Sequence, residues 1–244
     1  MSKNKKKKNP LLLWILLALA AVLVVVLLTY SPAEEAPAPE NEIFQTAEED
    51  ETKSDPLFIL DDALCIEKIG QYTGIFVEDG SDEPVTGVLM MHVTNITEDP
   101  IQYAEITLDV GGKTARFAVS VLPAGATAVL IEQNRMAYSE EVDYTAAVAD
   151  CGKIAGFDRD LTLQEDKLKI QILDGGVNIQ NISGADITET IVLTYKNINN
   201  GVYHGGIAYR VRLEGGLKAD ELRQIMVNHI YSPGTELMFV DLIP

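Results

Sequence analysis

Three histidines and two cysteines are the side chains of this 244-residue chain best suited to metal ligation or nucleophilic chemistry. His92, His204 and His229 form no His-Glu-x-x-His pair, and Cys65 and Cys151 form no Cys-x-x-Cys, so no zinc motif is present. "YHGG" (203–206) looks like the backbone oxyanion loop of esterases, but no Gly-x-Ser-x-Gly elbow accompanies it. "EDGSDE" (78–83) departs from the spacing of a calcium loop and reads as an acidic hairpin tip. No catalytic residue, cofactor site or metal site is therefore assigned. What remains is a concentration of aromatic and imidazole side chains near the C-terminus. Tyr203, His204, His229 and Tyr231 make a candidate binding face. Tyr195 and Tyr209, which sit in alternating runs, are expected as core or cross-strand pairs.

The elements that must position these residues have a period of two. "YAEITLDV" alternates at Ile106, Leu108 and Val110, "ARFAVSVLP" at Phe117, Val119 and Val121, "IVLTYKN" at Ile191, Leu193 and Tyr195. Glycine pairs at 111–112, 175–176, 205–206 and 215–216 separate or follow such runs and suit turns that need positive φ. Short alternating strands between Gly, Asn and Asp clusters indicate an all-β chain. The stretch 217–230 has apolar residues at helix-like spacing (Leu222, Ile225, Met226, Ile230), but its place in an internal repeat assigns it to a strand.

That repeat is anchored by "HVTNIT" (92–97) and "NIQNIS" (178–183). With Asn95 on Asn181, the residues Val93, Ile96, Thr97 and Ile101 face Ile179, Ile182, Ser183 and Ile187, and further on Gly125 falls opposite Gly216. Both motifs spell an N-glycosylation acceptor, yet the shared neighbours favour a strand-ending turn whose Asn bonds its own backbone. The predicted fold is two tandem immunoglobulin-like β-sandwiches, 57–158 and 159–244. Cys65 and Cys151 fall in the first and last strands of the first sandwich. A disulfide there would close a loop of about 85 residues and contribute on the order of 4 kcal/mol. It is preferred to the alternative of two buried thiols acting as small hydrophobes.

The stretch "TGVLMMHVTNITEDPIQYAEITLDVGGKTARFAVSVLPAGATAVLIE" (86–132) resembles the FxLYD-type extracellular β-sandwich modules of Gram-positive membrane-anchored proteins. Asn95, Gly111, Gly112, Pro123 and Gly125 carry the resemblance, and the motif that names the family is absent. The resemblance implies an envelope-exposed binding or spacer module without a catalytic site.

The N-terminus sets the expected location. Residues 1–10 hold Lys3 and Lys5 to Lys8, and residues 11–30 include an uninterrupted apolar run, long enough for a transmembrane helix in contact with membrane lipid. Its length favours an uncleaved anchor over a cleaved signal peptide. The lysines place the N-terminus in the cytoplasm and the remainder outside the cell membrane. Residues 31–56, rich in Pro, Glu and Ala, read as a disordered acidic stalk. After residue 30 the chain holds all 37 Asp and Glu against 14 Lys and Arg, which excludes nucleic acid as a natural partner. The expected function is a single-pass, non-catalytic binding or scaffold protein of the envelope, its partner an envelope protein or glycan. An envelope hydrolase with a site between the sandwiches, and an accessory subunit of a membrane complex, are the alternatives.

Overall fold

A computed structural model describes residues 55–244. The expected Lys-rich tail, the membrane span and all but the last two residues of the stalk lie outside the described residues. Among the described residues no helix is long and apolar enough to cross a membrane.

Among the described residues fourteen strands carry the fold. The first seven are β1 (Phe58–Leu60), β2 (Leu64–Phe76), β3 (Glu83–Asn95), β4 (Ile101–Val110), β5 (Lys113–Leu122), β6 (Thr127–Ile131) and β7 (Val148–Gly156). The second seven are β8 (Leu168–Leu173), β9 (Gly176–Asn181), β10 (Thr190–Asn199), β11 (Val202–His204), β12 (Tyr209–Leu213), β13 (Leu222–Met226) and β14 (Thr235–Ile243). Turn chemistry explains the tightest reversals. Gly111 and Gly112 (φ 58° and 77°) join the paired Val110 and Lys113, and Asn200 and Gly201 (φ 49° and 81°) join the paired Asn199 and Val202. Two-residue hairpin loops need positive φ at both positions, which Gly and Asn supply at least cost. Within the helix-like stretch 217–230, Leu222–Met226 form strand β13, antiparallel to β9.

The strand order is used twice. β6-β3-β2 in the N-terminal half corresponds to β13-β9-β8 in the C-terminal half, and β5-β4-β7 corresponds to β12-β10-β14. Each half has its own apolar core. Leu64, Leu89, Met91, Ile106, Phe117 and Leu130 fill the first. Val177, Ile179, Ile191, Leu193, Val211 and Val240 fill the second. Tyr195 belongs to that second core and stacks on Tyr209 with ring centres 5.3 Å apart, as the alternation predicts.

The two asparagines close these halves in the same way. Asn95 Nδ2 donates to the carbonyls of Asp99, Leu122 and Pro123 at 2.9, 3.0 and 3.1 Å. Its Oδ1 accepts from the N–H and hydroxyl of Thr97 at 3.0 and 2.7 Å. Asn181 Nδ2 donates to Ala185, Leu217 and Lys218 at 2.7, 3.2 and 3.0 Å. Its Oδ1 accepts from the N–H and hydroxyl of Ser183 at 2.9 and 2.7 Å. Both side chains are fully buried. An amide so enclosed is satisfied rather than available, and a sugar on either nitrogen would require the clasp to open.

The clasp also corrects one correspondence. Gly125 (φ 69°) does not match Gly216 but Asp220 (φ 61°). Ala126 N donates to Pro123 O just as Glu221 N donates to Lys218 O, and Asn95 N and Asn181 N then donate to Ala126 O and Glu221 O. Asp, whose short side chain tolerates the left-handed region, occupies in one half the position that Gly occupies in the other. Gly216 has a separate duty: a Cβ there would stand 1.8 Å from Ile187 O.

Two strands have no counterpart: β1, which pairs with β2, and β11. β11 runs antiparallel to β10 and parallel to β6, with Tyr203 beside Ala128 and His204 beside Val129. It continues the N-terminal sheet into the C-terminal half, giving the unbroken order β1-β2-β3-β6-β11-β10-β12. All described residues fall within one compact unit.

Candidate functional site

The region where β11 joins the halves gathers several ionisable side chains whose behaviour burial alters, Tyr72, Glu78, Lys196, Tyr203 and His204. Tyr203 and His204, expected on a binding face, are instead 4% and 6% exposed. β11 is hydrogen-bonded on both edges and packed on both faces, with Tyr203 against the first core and His204 against Tyr72. Tyr203 packs into the first core and donates through its hydroxyl to Glu236 at 2.9 Å. His204 Nε2 lies 3.2 Å from the Tyr72 hydroxyl. That hydroxyl gives its one proton to Ile75 O at 2.7 Å, so His204 donates from Nε2. Burial and then the nearby Lys196 charge bring the imidazole down to about 4, which keeps it neutral. His229 and Tyr231 are half-buried elsewhere. His229 stacks on Tyr209 at 5.1 Å and pairs with Asp82 at 3.2 Å. The four residues do not make one face.

At the centre of the join stands Lys196, on β10 and fully buried. Its Nζ lies 2.9 Å from Ser120 O and Ile207 O, 3.3 Å from Gly206 O and 3.5 Å from Gly205 O. The Ser120 carbonyl belongs to β5 of the other half. A group with three donors and no acceptor, ringed by carbonyl oxygens, is held as the ammonium. Burial still pulls it down to about 7, opposed by the charge of Glu78. Glu78 comes from the acidic hairpin tip between β2 and β3. Its Oε1 accepts from Gly206 N at 2.8 Å and Ile131 N at 3.1 Å. Burial pushes this carboxyl up to about 7, against the pull of those N–H groups and of Lys196. Gly206 thus receives Lys196 on its carbonyl and offers its N–H to Glu78.

Two glycines make this approach feasible. A Cβ on Gly206 would stand 1.8 Å from Ala118 O, and one on Gly205 (φ 75°) would stand 2.4 Å from Val77 Cγ2. The "YHGG" sequence is therefore a closely packed joint between halves. Gly206 O accepts from Ser120 N at 2.7 Å and from the Ser120 hydroxyl at 3.0 Å, and Gly205 N donates to Val129 O at 3.0 Å. The arrangement positions backbone against backbone and leaves Lys196 enclosed.

Beside the joint is an open cleft of about 220 Å³. Arg210 and Arg212 on β12, Arg159 on the connecting segment, and Gln102 and Ser120 of the N-terminal half line it. Arg159 pairs with Asp241 at 2.6 Å and lies over the Phe239 ring at 5.3 Å. Among the described residues Arg210 and Arg212 have no carboxylate partner.

Cys65 and Cys151 are free thiols. On β2, Leu64 and Ile66 point into the first core and Cys65, between them, points to the other face; Cys151 on β7 packs against that core. The expected disulfide is not formed because the sheet separates the two sulfurs. Among the described residues no group of three His, Cys, Asp or Glu side chains is placed to hold a metal ion.

The sequence reading missed Glu78, Lys196 and the arginines. The "YRVRL" alternation does place Arg210 and Arg212 on one strand face, a signal that was present. Nothing local marks Lys196, whose partner Ser120 is 76 residues away. No family model, no curated protein and no solved structure matches this chain.

Proposed function

We propose that the chain is a single-pass, membrane-anchored extracytoplasmic protein whose folded part is a non-catalytic binding or scaffold module of the cell envelope. In this reading the two halves are tandem immunoglobulin-like sandwiches carried on residues 31–56 as a stalk, and the resemblance of 86–132 to FxLYD-type modules has its natural place. The observation that carries the reading is the joint. The buried Lys196 ammonium and the half-buried Glu78 carboxylate tie backbone to backbone, which suits a fixed arrangement of two modules. The polar groups of the joint are taken up by the backbone, as a scaffold requires. The apolar run over 11–30 and the preceding lysines support the anchored topology.

Protease added to intact cells that express the full chain with a C-terminal epitope tests the location. Loss of the epitope without lysis is the expected result. An epitope that survives until the cells are lysed contradicts the anchored, exterior topology.

A further inference from the structure

The cleft beside the joint has a character opposite to that of the chain around it. The sequence after residue 30 is strongly acidic, yet three of its six arginines converge on this one cavity with a single acidic neighbour, Asp241. Alternate residues on a strand stand roughly 7 Å apart on one face. Arg210 and Arg212 therefore rise from one strand face into the cleft lining, with Arg159 as a third guanidinium there. Their cross-strand neighbours on β10 are Thr194 and Val192, of which Val192 lines the cleft.

Thr194 supplies an independent observation. It is 1% exposed and its hydroxyl has no hydrogen-bond partner. It pairs in register with Arg210 on one side and Phe239 on the other, both of which line the cavity. A buried hydroxyl left unsatisfied costs about 1–3 kcal/mol, and native proteins rarely leave one without reason. An oxyanion in the cleft would accept from the arginines and stand on the same sheet face as this donor.

We propose that the cleft is a binding site for the phosphate or carboxylate group of a small organic ligand, held by Arg210 and Arg212 with Arg159 at the rim. Arginine is the side chain fitted to such groups because its planar fork meets two oxygens at once. Asp241 keeps Arg159 in place through their ion pair, and the Phe239 ring beneath Arg159 offers an apolar wall to the ligand's framework. A low-dielectric cleft concentrates this positive potential, which the acidic surroundings would otherwise mask. The proposal rests on the binding-module reading and says what is bound.

Calorimetric titration of the full chain at low salt with inorganic phosphate, glycerol 3-phosphate and glucuronate separates the two ligand classes. Saturable binding of either phosphate or carboxylate probes is expected. In the Arg210→Gln/Arg212→Gln variant the affinity should fall at least tenfold with the thermal midpoint unchanged, because both side chains are exposed. No binding of any probe, or equal affinity in the double variant, overturns the site and leaves the binding-module reading standing. Release of free phosphate from glycerol 3-phosphate, lost in the same variant, would instead keep the site and overturn the non-catalytic reading.

Discussion

On the outer face of β4, in the N-terminal half, Glu105 and Asp109 are exposed and Thr107 is half-buried; on β10, its counterpart, Val192, Thr194 and Lys196 are buried. The strands around them keep the same order and the same asparagine clasp, five hydrogen bonds matched one for one. What differs is what each half meets. β4 faces water, and charge there is cheap and plentiful. β10 is covered by the connecting segment, by β11 and by the end of β5, and its one charged residue has its protons directed at backbone carbonyls. The clasp belongs to the fold of each half, whereas the joint belongs to their union. Duplicated structure and acquired structure can thus be separated residue by residue.

Removing the acquired part should have the largest effect. Lys196→Met leaves four carbonyls and the Glu78 carboxylate without their cation, and is expected to cost about 3–5 kcal/mol in urea unfolding. A loss below about 1 kcal/mol would mean that the ammonium does not hold the halves. Breaking the shared part should cost somewhat less and, more tellingly, cost the same twice. Asn95→Ala and Asn181→Ala are each expected to lose about 2–3 kcal/mol, since buried carbonyls are left unpaired. Values that differ by more than about 1.5 kcal/mol would contradict the equivalence of the clasps.

A pH series sharpens the comparison further. Glu78 is raised from 4.5 to about 7, so the unfolded chain ionises first and stability falls as pH rises through that window. His204 is lowered from 6.5 to about 4, so the unfolded chain binds a proton that the folded one refuses, and stability falls as pH drops through that window. Between pH 4.5 and 6.5 the two slopes oppose each other and flatten the profile; Lys196, lowered to about 7, acts only above it. Glu78→Gln removes one slope. Its stability should climb by about 1–2 kcal/mol from pH 4.5 to 6.5, more steeply than wild type. Identical profiles for the two proteins would show that the carboxyl is not held in the joint. The smallest effect belongs to Arg135, which bridges Asp79 and Glu83 at the hairpin tip in partial exposure. Arg135→Gln should leave the urea midpoint nearly unchanged in the same denaturation assay.

The duplicated part was the legible part. Alternation at Ile106, Leu108 and Val110, the Gly111-Gly112 turn and the Asn95–Asn181 match are local signals, and each led to the element found. The match strayed at Gly125, because the left-handed position is filled in the other half by Asp220, an ordinary surface residue in any sequence reading. The acquired part was hardly legible. β11 is three residues long, too short for a period to show, and the Gly205-Gly206 pair after it has the composition of a turn although its task is close approach. Tyr203 and His204 look like a recognition face because nothing local reveals what packs on the two faces of β11. The Cys65–Cys151 pairing failed on side-chain direction, which chain position does not specify.

The central claim is that the joint makes the two halves one body, and calorimetric unfolding of the full chain tests it directly. Gly206→Ala places a Cβ against Ala118 O and should part the halves, withdrawing Tyr203 from the first core and leaving the second core intact. One cooperative transition over 55–244 in the wild type, split into two in Gly206→Ala, is the predicted result. Two separate transitions in the wild type, unaltered by Gly206→Ala, would contradict it.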